Sequence, residues 1–366
     1  MQLRSSLLPL VLLAFQLQVP STAASSASLS SRAGHHPAGT GHHKQSPSAI
    51  ATGTEIVTAP LRFDIGKDQE TPSAFAVQVQ IGQSTLTMAL DAQFTDLVVN
   101  SGAYQPAASK TAVESDVPFS VVRNSAEKAD GILYQDDLTI AGLTIKKFIV
   151  GPAKNKVYNG AADGLLGFAY AWTSEVYQGN VPFLSALKET GAIQSAVMGL
   201  ALWAEDGEIS LGGPNPKKFK GPITWVPVHK GYPFWTTLGK VAGVAVDLTM
   251  DTQRMAVNVP RPKAEQMFKN IPNLTLYDDE YGLLSARYPC AKPPQIMVEF
   301  GALKVPMGGM TSFKYKADPS YCVAPLLGVS HDAVPNGDAM AGGWLYSNLY
   351  VVVDMDKGMV GYALKA

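Results

Sequence analysis

The hydrophobic and polar positions of this chain alternate in short runs, and long stretches of helical periodicity are scarce. Residues 75–82 place a large apolar side chain at every second position, which is the period of a strand with one buried face. Gly82 and Gln83 then form a predicted hairpin turn, and residues 84–90 continue as a second strand. Similar runs, separated by Gly, Pro, Asn and Asp, recur along the chain and predict a mainly β protein.

A second hairpin and two short helices complete this pattern. Residues 136–150 form a predicted hairpin with its turn at Ala141-Gly142. A helix is predicted over residues 182–190, because a proline suits its first turn and Gly191 suits the stop that follows it. Another short helix is predicted to begin around Pro262, in a second half that repeats the plan of the first.

Two widely separated stretches share one pattern that leads to an aspartate. Residues 88–97 have the sequence Met-Ala-Leu-Asp-Ala-Gln-Phe-Thr-Asp-Leu, and residues 248–257 have the sequence Leu-Thr-Met-Asp-Thr-Gln-Arg-Met-Ala-Val. In both stretches, mainly apolar residues precede the aspartate, which is Asp91 or Asp251, and a small residue and a Gln follow it. Two matching carboxylate turns of this kind predict a bilobal protein with a central pair of aspartates.

Length, composition and charge narrow the class of protein. At 366 residues the chain is long enough for two lobes with their own cores. The 33 Gly and 25 Pro favour a turn-rich β protein over a helical one. The net charge is −1 and only 16% of the residues are charged, so neither nucleic acid nor an anionic membrane is an expected partner.

The N-terminal segment has the order of a secretory signal peptide. Arg4 precedes the apolar run at residues 7–15, and small residues follow up to Ala24. The apolar run is shorter than the about 20 residues that span a bilayer, and no other stretch is long enough. Residues 1–24 are therefore predicted to be a signal peptide, and the protein is expected to be secreted and free of the membrane after cleavage.

Residues 25–55 are rich in Ser, Ala, Gly and His, a composition that cannot bury a core. They are predicted to be disordered or a removable pro-segment. The pairs His35-His36 and His42-His43 are of a type that can hold zinc, but solvated imidazoles in a flexible leader are more often inert. The sequence therefore points to no metal and to no cofactor.

Cys290 and Cys322 are the two cysteines of the chain. In an oxidising compartment they most simply form one disulfide, to which the chain-entropy description assigns roughly 3–4 kcal/mol. Two free thiols are the alternative. A second feature expected of a secreted surface is Asn273, which begins the glycosylation sequence Asn-Leu-Thr.

Together these landmarks resemble the pepsin-like aspartic proteases over most of the chain. The turn at Asp91 is similar to the family's hydrophobic-Asp-Thr-Gly element, and Asp251-Thr252-Gln253 stands where the second such element belongs. Leu165-Leu166-Gly167 and Met340-Ala341-Gly342 resemble the apolar-apolar-Gly segments that pass beneath the two turns. Residues 225–228, Trp-Val-Pro-Val, are similar to the family's junction between lobes.

The resemblance implies an all-β, bilobal fold with a central cleft and a few short helices. The lobes are predicted over residues 56–226 and 227–366, and Asp91 and Asp251 form the expected catalytic pair at the floor of the cleft. In active members two such carboxylates share a proton and activate a water molecule that attacks a peptide carbonyl. The two cysteines are placed like the disulfide of the family's C-terminal lobe.

The departures from the family pattern concentrate around the two aspartates. Gln93 and Gln253 replace the glycine of each Asp-Thr-Gly, a residue used where backbone passes closely. They add bulk and amide dipoles beside the carboxylates. Ala92 replaces the Thr of the first turn and so removes a hydroxyl that helps to lock the two turns together, whereas Thr252 keeps its counterpart.

The next position of each turn is Ser or Thr in active members, and here it is Phe94 or Arg254. If Arg254 points at the aspartates, its charge should keep both ionised and lower their pKa, which removes the acid that the reaction needs. The alternative is that Arg254 turns to solvent or pairs elsewhere. The predicted cleft residues beside the aspartates are Gln93, Phe94, Thr252, Gln253 and Arg254.

The segment that matches the family's flap, residues 120–131, contains no Tyr. Family flaps carry a Tyr followed by Gly residues that fold over the substrate, and Val98 stands in place of the Trp that supports this Tyr. Arg123 near the tip either presents a cation to a ligand in the cleft or is an ordinary solvated loop residue. Loss of one oriented catalytic group costs a factor of about 10² to 10⁴ in rate, so ordinary endopeptidase activity is not expected.

Three functions share this predicted fold. The first is a secreted, monomeric, non-proteolytic protein whose cleft binds a peptide, a protein or a small molecule. The second is an enzyme that acts on a small molecule in the same cleft, by acid–base chemistry or a templated cyclisation, over a polar floor with apolar walls. The third is an atypical aspartic endopeptidase that uses Asp91 and Asp251. In the first case these aspartates are vestigial and serve only to accept backbone N–H bonds.

Overall fold

The computed structural model describes residues 56–64, 74–122, 128–158, 160–170, 181–203, 205–334 and 339–366. The predicted signal peptide and the segment over residues 25–55 lie outside the described residues. Strands dominate the described ranges, and the helices are few and short. The predicted all-β, bilobal fold is therefore confirmed.

The elements follow in chain order, first for the part of the chain up to residue 227 and then for the remainder. The first set is β1 (Val57–Asp64), β2 (Ala74–Ile81), β3 (Ser84–Asp91), β4 (Leu97–Val99), β5 (Val113–Val122), β6 (Lys128–Ile140), β7 (Leu143–Pro152), β8 (Gly164–Gly167), α1 (Phe183–Glu189), β9 (Val197–Ala201), β10 (Glu208–Leu211) and β11 (Phe219–Pro227). The second set is β12 (Thr236–Val241), β13 (Val244–Met250), β14 (Val257–Pro260), α2 (Arg261–Lys269), β15 (Thr275–Asp278), β16 (Leu284–Pro289), β17 (Met297–Phe300), β18 (Leu303–Pro306), β19 (Tyr321–Val323), β20 (Leu326–Val329), β21 (Ala339–Ala341), α3 (Gly343–Tyr346), β22 (Leu349–Asp354) and β23 (Met359–Lys365).

The locally predicted elements form where the sequence pattern places them. β2 pairs with β3, and β6 pairs with β7, each antiparallel and across a two-residue turn. α1 begins one residue after its predicted start and ends one residue before its predicted end, with Pro182 as N-cap. Gly191, at φ 73°, follows α1 as the predicted stop. α2 begins at Arg261, next to the predicted Pro262.

In each lobe, one strand passes beneath the turn that carries the aspartate. In the first lobe β8 runs parallel to β3, with Leu90 beside Leu166, and antiparallel to β4. In the second lobe β21 runs parallel to β13, with Met250 beside Ala341, and antiparallel to β14. The same local topology therefore positions the aspartate in each of the two sheets.

Six strands from both halves of the chain form a sheet that connects the lobes, which we call the joining sheet. Its order is β11-β23-β22-β9-β10-β1. β22 pairs with β9, and β23 pairs with β11, both antiparallel. The lobe boundary at residues 226/227 stays a prediction, and the joining sheet takes strands from both sides of it.

The core continues from one lobe into the other. A single large cluster of buried apolar residues contains side chains from both halves, among them the fully buried Phe75 and Phe168 of the first half and Trp235 and Tyr362 of the second. Trp235, just before β12, donates its indole N–H to the carbonyl of Phe168 in the first lobe at 2.7 Å. Buried apolar area contributes about 25 cal/mol per Å², so this shared core stabilises the contact between the lobes.

One disulfide ties the second lobe together. Cys290 and Cys322, 32 positions apart in sequence, are bonded to each other, as the prediction of a single disulfide states. They connect the end of β16 to β19, two strands that also pair by hydrogen bonds. Among the described residues, no helix is long and apolar enough to cross a membrane.

Candidate functional site

The two aspartates lie at the ends of β3 and β13, and the turns after them make the same hydrogen bond. The backbone N–H of Gln93 donates to Asp91 Oδ1 at 2.9 Å, and that of Gln253 donates to Asp251 Oδ1 at 2.8 Å. Asp91 is only 1% exposed and Asp251 only 3% exposed. Both carboxylates are therefore held by their own turns and are shielded from solvent.

The strands beneath the turns approach so closely that two positions accept only glycine. A Cβ atom at Gly167 would lie 2.3 Å from the carbonyl oxygen of Phe94, and one at Gly342 would lie 2.2 Å from that of Ala256. Such contacts are far inside van der Waals distance, so any side chain would displace the turn. The apolar-apolar-Gly segments identified in the sequence thus fix the position of each aspartate turn.

Thr252 connects the second turn to the first across the boundary between the lobes. Its hydroxyl donates to the carbonyl of Leu90 at 2.6 Å and accepts from the backbone N–H of Ala92 at 3.1 Å. Thr252 is 0% exposed, so these bonds lie out of reach of bulk water. The first turn cannot make the corresponding hydroxyl contact to the second turn, because the residue equivalent to Thr252 is Ala92.

The two glutamines also reach across to the opposite turn. The side-chain amide of Gln253 donates to the Leu90 carbonyl at 2.6 Å. The side-chain amide of Gln93 donates to the carbonyl of Met250 at 3.2 Å and lies 3.6 Å from the sulfur of Met340. Their position two residues after each aspartate was visible in the sequence, but their partners in the other lobe were not.

Arg254 is directed at the aspartate of its own turn. Its Nη1 lies 2.7 Å from Asp251 Oδ2, so of the two orientations considered the structure has the one that faces the carboxylate. The Asp251 side chain is 4% exposed and that of Arg254 is 27% exposed. The guanidinium therefore covers the carboxylate on its solvent side, and both oxygens of Asp251 have a hydrogen-bond donor.

Phe94, the other substituted position, is buried. It is 4% exposed and belongs to an apolar cluster with Val98, Phe119 and Val121. Phe119 and Val121 lie on β5, the strand that leads into the segment matched to the flap. The cluster therefore packs the base of this hairpin onto the first aspartate turn, and a role of Phe94 in ligand binding stays a prediction.

The flap hairpin itself consists of β5 and β6, which pair as far as Val122 and Lys128. Its tip, with Arg123, lies outside the described residues, so the predicted cleft role of Arg123 stays a prediction. On the surface of the second lobe, Asn273 is exposed and has a φ of 62°. It lies two residues before β15, and its glycosylation is likewise still a prediction.

Tyr346 is a neighbour of the site that sequence reasoning missed. This residue of α3 is 1% exposed. Burial, with contributions from Tyr362 and Asp251, raises the pKa of the Tyr346 phenol well above its ordinary value, so the hydroxyl keeps its proton. No motif marks this position, because its influence depends on where α3 lies in the folded second lobe.

The chain belongs to the eukaryotic aspartyl protease family. The model of that family matches residues 64–365, which include both aspartate turns, the strands β8 and β21 beneath them, and all strands of the joining sheet except most of β1. The pepsin-like resemblance found in the sequence is thereby confirmed.

Curated relatives point to the same family and to more than one kind of member. Secreted aspartyl protease 1 of Malassezia globosa is 28% identical over 304 residues, covering 82% of this chain and 74% of that protein. An aspartic protease of Phaffia rhodozyma is 24% identical over 351 residues, covering 88% of this chain and 82% of that protein. A probable inactive secreted aspartyl protease of Malassezia globosa is 22% identical over 272 residues, covering 71% of this chain and 70% of that protein.

Proposed function

We propose that this member of the aspartyl protease family is a secreted protein that has lost ordinary endopeptidase activity and binds a ligand in the cleft between its lobes. The ion pair between Arg254 and Asp251, at 2.7 Å, carries the proposal. It occupies the position where active members have a Ser or Thr beside the carboxylate. The names of the two Malassezia globosa relatives support a secreted location.

The ion pair removes a component that peptide hydrolysis requires. An aspartic dyad works because two close carboxylates share one proton, so that one acts as base and the other as acid. The guanidinium of Arg254, at 2.7 Å from Asp251 Oδ2, supplies a positive charge at this site. We propose that this charge takes the place of the shared proton, so that the pair lacks the acid that protonates the leaving amine.

The groups at the cleft floor suit binding of a polar chain. Gln93, Gln253 and Arg254 are the partly exposed residues there, whereas Asp91 and Asp251 are buried. The guanidinium of Arg254 carries more N–H groups than its bond to Asp251 Oδ2 uses, and such groups donate to carbonyl and carboxylate oxygens. A peptide, either free or as part of a protein, is therefore the ligand class that we favour over a small molecule.

The first test is for hydrolysis that depends on the dyad. The purified protein is incubated across acid pH with unfolded proteins and a peptide library, beside its Asp91→Asn variant. We expect no cleavage that distinguishes the two proteins. Cleavage by the wild type that disappears in Asp91→Asn would overturn the proposal.

The second test asks whether Arg254 shapes the dyad. Transition-state analogues of aspartic proteases bind a dyad that can share a proton, so Arg254→Thr should bind such an analogue roughly tenfold more tightly than the wild type. Calorimetric titration measures the affinity, and Arg62→Thr, a change at an exposed arginine of β1, is the matched control. Equal affinity in the wild type and Arg254→Thr would contradict a role of the guanidinium in blocking the dyad.

Two observations favour a second candidate, an atypical endopeptidase. Both aspartates still accept the N–H of the residue two positions on, at 2.9 and 2.8 Å, and a relative at 28% identity is named a secreted aspartyl protease. The hydrolysis test separates the two candidates, because only the second requires Asp91-dependent cleavage.

A further inference from the structure

We infer that Gln93 replaces the hydroxyl that is missing at Ala92, so that Gln93, Thr252 and Gln253 together brace the two lobes at the floor of the cleft. We call these three residues the floor brace. This inference does not depend on whether the cleft hydrolyses peptides or only binds them, because it concerns how the two turns are held against each other.

The two aspartate turns have the same local topology, so their contacts can be compared position by position. Thr252, directly after Asp251, donates to the carbonyl of Leu90, the residue directly before Asp91. The symmetric bond would run from position 92 to the carbonyl of Met250, the residue directly before Asp251. Ala92 cannot make this bond, and the side chain of Gln93 makes it at 3.2 Å. Gln253 makes the equivalent amide bond to the Leu90 carbonyl, so the Met250 carbonyl keeps the amide donor and lacks only the hydroxyl donor.

Burial makes this bond consequential. Leu90 and Met250 are each 1% exposed, and Ala92 is 0% exposed, so water does not readily replace a lost donor. A buried carbonyl that loses its donor keeps its desolvation penalty. Removal of the Gln93 amide should therefore raise the equilibrium constant for unfolding by roughly 10- to 100-fold.

The two glutamines are not equivalent, which provides an internal control. The Leu90 carbonyl receives two side-chain donors, Thr252 and Gln253, both at 2.6 Å. Among the described side chains, the Met250 carbonyl receives only Gln93. Gln253 also leaves its own Oε1 buried without a hydrogen-bond partner, which subtracts from what it contributes. Loss of Gln253 should therefore matter less than loss of Gln93, although its bond is the shorter one.

The experiment is a double-mutant cycle between positions 92 and 93, measured by denaturant unfolding of the whole protein. The variants are Gln93→Ala, Ala92→Thr and the double variant, with Gln253→Ala as the matched control. We expect Gln93→Ala to be the most destabilised, and Ala92→Thr to recover most of that loss in the double variant while changing the wild type little. Such a coupling is the signature of two groups that serve one acceptor.

Two further variants keep the test decisive. Gln93→Met preserves the length of the side chain but has no N–H, so a bonding role predicts a loss like that of Gln93→Ala, and a packing role predicts wild-type stability. Ala92→Ser supplies the hydroxyl without the methyl group, in case threonine is too large for the site. Wild-type stability of Gln93→Met, equal losses in Gln93→Ala and Gln253→Ala, or no recovery in either folded hydroxyl variant would each overturn the inference.

Discussion

A single buried carboxylate, Asp136, shows how this fold holds a charge in its interior. It is 0% exposed, and its Oδ2 accepts the hydroxyl of Tyr104 at 2.6 Å. Burial raises the pKa of Asp136, but hydrogen bonds from Thr111, Tyr104, Ser109 and the backbone N–H of Asp137 outweigh burial and leave the pKa below its ordinary value. The native state therefore stabilises the ionised form of this residue.

This residue predicts a specific dependence of stability on pH. Its contribution is complete above the pKa of an unfolded Asp, about 3.9, and is lost as pH falls through the lower native value. Asp136→Asn should lower the free energy of unfolding by about 2 kcal/mol at neutral pH, and the difference should shrink in acid. Urea unfolding across pH measures it, with Asp332→Asn, a change at a 92% exposed side chain, as control. A cost that stays constant into the acid range would contradict the assignment.

For the residues beside the aspartates, the sequence shows which ones depart from the family pattern. It does not show where their side chains point. The sequence shows that Gln93, Phe94 and Arg254 replace small or hydroxyl residues beside the aspartates. It does not show that Gln93 bonds a carbonyl 157 positions away, or that Phe94 packs inward while Arg254 faces a carboxylate. Those choices depend on partners that other elements bring into place.

Elements with a local signal were predicted well, and elements defined by distant partners were not. The hairpins β2–β3 and β6–β7 carry their turn between them, and α1 carries its own start and stop signals, so a few residues suffice. β1 has no such signal for its partners: it pairs with β10 over residues 57–60 and with β2 over residues 61–64. The change of partner within one strand depends on tertiary contacts that alternation does not encode.

The edge strand β15 lies beside the predicted N-glycosylation site at Asn273. The strand lies at one end of its sheet, and Asn273 and Thr275 of the glycosylation sequence are both exposed. We expect a glycan at Asn273, which would also cover the open edge of β15 against pairing with other chains. Enzymatic removal of N-glycans from protein secreted by a eukaryotic host should lower its mass.

Matched variants locate that glycan. Asn273→Gln and Thr275→Ala should each abolish the mass change, whereas Asn270→Gln, a change at a nearby asparagine outside the sequence motif, should leave it intact. Secreted wild-type protein whose mass does not change on treatment would show that the site is unused.

At the scale of the whole molecule, the joining sheet makes the two halves depend on each other. A fragment that spans the predicted first lobe, residues 56–226, lacks β22 and β23, the partners of β9 and β11. We expect this fragment alone to remain unfolded or to aggregate, because it exposes unpaired strand edges and part of the shared core. Circular dichroism and gel filtration measure this, and the same fragment refolded with residues 227–366 should regain native structure. Cooperative unfolding of residues 56–226 alone would contradict the expectation.

The overall architecture was only partly accessible from the sequence for the same reason. The repeated pattern around Asp91 and Asp251 was sufficient to predict two lobes and a central pair of aspartates. The pairing of residues 197–200 with residues 351–354 has no counterpart in any local pattern, since alternation marks a strand but not its neighbour. The sheet that connects the lobes therefore came only from the structure.

The joining sheet also sets an order of events during biosynthesis. A ribosome releases β9 and β11 long before β22 and β23, so for much of translation the first half carries strand edges whose partners do not yet exist. Contacts between residues so far apart in sequence form slowly. Until they form, the unpaired strand edges can associate with other chains and cause aggregation. The joining sheet is completed only when β23 emerges, so we expect a chaperone that covers β9 and β11 until then to raise the yield of folded protein.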